Sequence, residues 1–94
     1  MMCGGFGNVK NADDTVVAIC NQVKSQVENH LNQTYQVFEP VHYKTQVVAG
    51  TNYLIKVRTE NDYIHVKVFQ SLPHAGQQLS VSSATSGHTL DSTL

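Results

Sequence analysis

Gln46-Val47-Val48-Ala49-Gly50 leads directly into Thr51-Asn52-Tyr53-Leu54-Ile55-Lys56-Val57-Arg58. Both sides of Ala49-Gly50 are rich in β-formers, and glycine tolerates the positive φ that tight turns demand, so the stretch reads as a hairpin. Its tip is apolar. Turn tips usually carry Asn, Asp, Ser and Gly, whereas Val47, Val48 and Ala49 stand where water is expected. Such a tip is either buried by the rest of the chain or presented to a partner. We expect a partner.

Outward from the hairpin, Tyr35 to Val48 is one extended run. Val37, Val41, Tyr43 and Thr45 fall on one face, with His42, Lys44 and Gln46 on the other. Pro40 cannot donate a ladder bond, which predicts a bulge or an unpaired edge position. The strand after the tip alternates Tyr53, Ile55 and Val57 against Leu54, Lys56 and Arg58. A polar turn at Thr59–Asp62 follows, then Ile64, Val66 and Val68 inward with His65 and Lys67 outward. Leu72-Pro73-His74-Ala75-Gly76 is the next turn, and Leu79 and Val81 begin a short last strand. Residues 82–94 are too rich in Ser and Thr for a strand to be read from them.

Upstream, Val16, Ile19, Cys20, Val23, Val27 and Leu31 recur every three or four residues from Asp13 to Asn32. That spacing is an amphipathic helix of about five turns. Asn11 or Asp13 is the expected N-cap, and Gln22, Lys24, Gln26 and Glu28 make the solvated face. The helix stripe needs an apolar sheet face, and the strands supply one. The fold class is therefore α+β: one long helix across a curved antiparallel sheet of four to five strands.

In such a meander alternate turns fall at the same end. The Ala49-Gly50 and Leu72-Pro73-His74 turns are neighbours, and the Thr59–Asp62 turn lies at the far end. If residues 4–9 pair antiparallel to the first long strand, the glycine-rich start joins the two tips.

Ninety-four residues make one domain, 1–94, with a flexible segment at 1–9, the helix at 13–32 and the meander at 35–94. The net charge is −1, and the six Lys and Arg residues are dispersed, which excludes nucleic acid as the main partner. No secretory leader and no membrane-spanning run is read from the sequence, so a cytoplasmic setting with reduced thiols is expected. His42 and His65 lie on strands separated by a third, about 9–10 Å apart, too far to share a metal. No cofactor is expected. A nucleophile at Cys3 or Cys20 would need a rigid base partner, which a mobile tail and a core-facing helix position do not offer.

The residues also carry a resemblance. Gln46-Val47-Val48-Ala49-Gly50-Thr51-Asn52-Tyr53 resembles the signature of the cystatins, and specifically of the disulfide-free type-1 members called stefins. Met1-Met2-Cys3-Gly4, Val23-Lys24-Ser25-Gln26-Val27-Glu28 and Val68-Phe69-Gln70-Ser71-Leu72-Pro73-His74 extend the likeness, in the family's order, to about Val81. The resemblance implies reversible inhibition of papain-like cysteine proteases of the cathepsin type by a three-part wedge. Carried onto this chain, the wedge is the trunk Met2, Cys3 and Gly4, the first hairpin Gln46, Val47, Val48, Ala49 and Gly50, and the second turn Leu72, Pro73 and His74. Against the family pattern stand Phe6-Gly7 after the glycines, Pro40, a shorter Thr59–Asp62 turn and a serine-rich tail, in which the resemblance implies that Thr89–Leu94 forms the last strand. A drifted, non-inhibitory binding module is the alternative, and its mark would be damage to the Gln46–Gly50 tip. That tip is intact. A monomer is expected, with a domain-swapped dimer reachable if the Val47–Gly50 turn opens.

Overall fold

Asp13 starts the helix. In the computed structural model, which describes residues 5–72, 76 and 78–94, an Asp13 carboxylate oxygen accepts from the Val16 amide at 3.1 Å. Its other oxygen accepts from the Tyr43 hydroxyl at 2.7 Å. The Tyr43 bond, then that of the Val16 amide, holds the Asp13 carboxyl below its usual range. The helix α1 spans Asp14–Leu31 and ends at Asn32, whose φ of 54° is the left-handed cap conformation. The N-cap is thus Asp13 rather than Asn11.

Among the described residues five strands follow the order β1-β2-β3-β4-β5 in one antiparallel sheet. They are β1 (Lys10–Asn11), β2 (Phe38–Val48), β3 (Gly50–Thr59), β4 (Tyr63–Gln70) and β5 (Leu79–His88). The register shifts between Pro40 and His42, the bulge that proline was expected to cause. The core joins Val16, Ile19, Cys20, Val23 and Val27 of α1 to Tyr43, Ile55, Val57, Ile64, Val66 and Val68 of the sheet, with Tyr35 closing one end. Both predicted stripes are therefore the two sides of one core. Cys20 belongs to it, and burial pushes its thiol up to about 12, which makes it chemically quiet.

Four expectations need correction. The last strand is ten residues long, running to His88. Its Ser and Thr residues suit an outer strand, whose ladder bonds come from the backbone whatever the side chain. Thr89–Ser92 is a turn, closed by the Ser92 amide donating to Thr89 O at 3.1 Å, and not a strand. Gln26 and Glu28 are not merely solvated: Gln26 Oε1 accepts from the Val81 amide of β5 at 3.1 Å, and Glu28 accepts from the Tyr35 amide at 2.8 Å. Lys56 and His65, placed on the outward face, are nevertheless covered. Lys56 is 4% exposed because its ammonium donates to Leu90 O and Ser92 O of the carboxyl-terminal segment. His65 stacks on His88 with ring centroids 3.7 Å apart.

The long first strand also begins later than Tyr35. Gln36 and Val37 donate their amides to the Glu60 carboxylate at 2.9 and 3.2 Å, so this segment is held by the far turn before the ladder begins. No helix among the described residues is long and apolar enough to cross a membrane.

Candidate functional site

Three segments meet at one end of the sheet. Val48 pairs with Gly50 across the apex, leaving Ala49 alone at the tip. Thr51 pairs with Gln70, so the end of β4 lies directly beside the start of β3. On the other side the Gly7 amide donates to Thr45 O at 2.9 Å, and Lys10 faces Tyr43. The described amino-terminal residues therefore run antiparallel to β2 with their start nearer the tip, as the expected pairing requires. The second turn is closed at its base by the Ser71 amide donating to Gln78 O at 3.0 Å. The Gln78 amide in turn donates to Ser71 Oγ at 2.7 Å.

The tip itself is exposed. Val47 is 74% accessible, the highest of the exposed large hydrophobic side chains among the described residues, and Leu72 in the second turn is 37% accessible. Below the apex the hairpin is tied: Asn52 Nδ2 donates to Gln46 Oε1 at 3.1 Å, and Tyr53 Oη donates to Gln70 Oε1 at 3.4 Å.

Gly50 has a role that the hairpin pattern alone does not reveal. It is buried, with φ at 125°. A Cβ there would lie 2.5 Å from Gln70 O and 2.7 Å from Phe69 Cζ. The glycine is required less to keep the tip slim than to let β4 pack against the turn. Phe69 is the contact that sequence reading missed; only the β3–β4 register brings it beside Gly50.

Of the residues expected in the site, Gln46, Val47, Val48, Ala49, Gly50 and Leu72 come together at this end. Met2, Cys3, Gly4, Pro73 and His74 lie outside the described residues. Among the described residues no group of His, Cys, Asp or Glu could hold a metal ion. An open groove lined by Val17, Asn21, Phe38, Pro40 and Arg58 among others lies at the far end of the β2–β3 ladder from the tip.

A single helix laid across an antiparallel five-strand sheet, with an apolar hairpin apex between an amino-terminal segment and a second turn, defines the cystatin-like class. The chain belongs to the cystatin family: the cystatin domain matches residues 4–90. Within it the chain falls among the type-1 members, the stefins. It is 45% identical over 95 residues to Cystatin-A of Felis catus, spanning 100% of this chain and 97% of the relative. It is 50% identical to Cystatin-A of Homo sapiens over 80 residues, 84% of this chain and 82% of the relative. Over 75 residues it is 49% identical to Leukocyte cysteine proteinase inhibitor 1 of Sus scrofa, 79% of this chain and 73% of the relative. These relatives bear the names of cystatins and of a cysteine proteinase inhibitor.

Proposed function

We propose that the protein is a reversible, competitive inhibitor of papain-like cysteine proteases. It fills the protease's active-site cleft with residues 2–4, the Gln46–Gly50 hairpin and the Leu72–His74 turn. The observation that carries this reading is the Gly50 contact. An apolar apex with Val47 in solvent is backed by Gln70 and Phe69 so closely that no side chain fits at Gly50. An exposed apolar patch needs a partner, and a patch held still loses little ordering entropy on binding.

The mechanism is occlusion. The tip offers small apolar side chains and backbone to the cleft and holds no peptide bond in position for attack. A protease–inhibitor contact covers about 800 Å² per partner, an area that three neighbouring segments supply. Kinship with Leukocyte cysteine proteinase inhibitor 1 supports the class of target, and we propose an intracellular setting with lysosomal-type cathepsins among the targets. A monomer is the inhibitory form; a dimer formed by straightening the Val47–Gly50 turn would lack the apex and inhibit poorly.

Titration of papain and of two or three cathepsins with the recombinant protein tests the proposal. Tight, competitive and reversible inhibition is expected. Full protease activity at micromolar inhibitor would overturn it.

A further inference from the structure

We infer that Phe6 is a positioning residue, clamped between two lysines of the outer sheet face, that fixes the amino-terminal segment along the hairpin edge. The inference deepens the inhibitory reading above and rests on it. The Phe6 ring centroid is 5.6 Å from Lys44 Nζ of β2 and 6.0 Å from Lys67 Nζ of β4. Both distances are within cation–π range. These strands are not neighbours. Lys44 pairs with Leu54 and Leu54 pairs with Lys67, so the three form one cross-strand row on the face away from the helix. A ring that reaches both ammonium groups spans the position of Leu54.

Two further observations fit a clamp. Phe6 is half-buried although it sits near the chain's start, while Gly5 and Gly7 on either side are exposed. Next to it the Gly7 amide is bonded to Thr45 O. One backbone bond and one aromatic side chain thus fix the segment before β1 begins. Two glycines flanking the aromatic residue leave the backbone with high entropy, so a side-chain anchor is what holds residues 5–7 along the β2 edge. Without the ring, two like charges would face each other across Leu54, and among the described residues ahead of β1 the Gly7 bond would remain.

Three substitutions test this. Phe6→Ala should remove amide-exchange protection at Gly7 in the free protein. It should also raise the dissociation rate from papain about tenfold, with the association rate little changed, the effect expected of two lost weak contacts. Lys67→Met keeps the apolar stem and should raise dissociation about threefold. Phe6→Tyr keeps the π face and should restore both readouts. Unchanged Gly7 protection in Phe6→Ala would overturn the clamp. Lost protection with an unchanged dissociation rate would overturn its part in inhibition. A wild-type protein that does not inhibit papain would overturn the functional reading, while Gly7 exchange, measured without any protease, would still decide the clamp.

Discussion

The two faces of the sheet are built on different principles. The face toward α1 is mainly apolar, and Ile55, Val57, Ile64, Val66 and Val68 are each at most 1% exposed. The outer face carries Lys44, Lys56, Arg58, His65 and Lys67, yet much of it is covered. Phe6 spans one row, the carboxyl-terminal segment accepts two bonds from Lys56, and His88 stacks on His65. Arg58 is paired with Glu39 at 2.9 Å, with both side chains largely in solvent, so that pair adds little. The inner face makes the fold. The outer face fastens the two chain ends to it, using polar and aromatic contacts that are individually weak.

This difference ranks the expected effects of mutation. Ile55→Ala empties a fully buried site on the inner face and should cost about 2–5 kcal/mol in urea unfolding. A smaller loss than Lys56→Met would break the distinction between the faces. Gly50→Ala comes next. Its φ and the 2.5 Å approach to Gln70 O force the hairpin away from β4. It should weaken papain binding at least tenfold and lower stability by about 1–3 kcal/mol, read by titration and thermal melting.

Lys56→Met should cost only about 1 kcal/mol, the net value of ordinary hydrogen bonds. Its clearer sign should be faster amide exchange at Thr89 and Ser92, since the carboxyl-terminal segment loses its tie. The smallest effect is a pH dependence. Burial, then the positive charges of His88, Lys56 and Lys44, pushes His65 from 6.5 down to about 4. Its Nε2 is buried and accepts no bond. The unfolded chain therefore binds the proton first. Stability contributed by neutral His65 is complete above about pH 6.5 and is lost as pH falls toward 4. Denaturation midpoints across that window should fall with acid, and His65→Gln should flatten the fall; an unchanged slope would remove His65 as its source.

How much of this was legible depends on whether a signal is local. The helix stripe Val16–Val27 and the alternation at Ile64, Val66 and Val68 are local periodicities, and both bury the residues they nominate. Pro40 announces its bulge through its missing amide hydrogen. The convergence of the turns followed from meander topology, which is also close to local. Strand β5 was unreadable beyond Val81 because its Ser and Thr residues carry no hydrophobic alternation; backbone pairing with β4 makes it a strand. Lys56, His65 and Phe6 were read as polar or loose because what covers them comes from 34 residues further on, from β5, or from across three strands. Gly50 was nominated for the right position on an incomplete reason, since Phe69 reaches it only through strand register.

The Gly50 contact has a consequence for how binding selectivity can be altered. The position that couples the two hairpins admits no side chain, so change there is closed off. The positions just before it are open: Val47 is 74% accessible, Ala49 is exposed at the apex, and neither has the left-handed backbone that would bar other residues. Surface replacements of this kind usually alter stability by less than about 0.5 kcal/mol. A library varied at Val47 and Ala49 can therefore be searched for discrimination among proteases with the scaffold left intact, because the constraint and the freedom sit on adjacent residues.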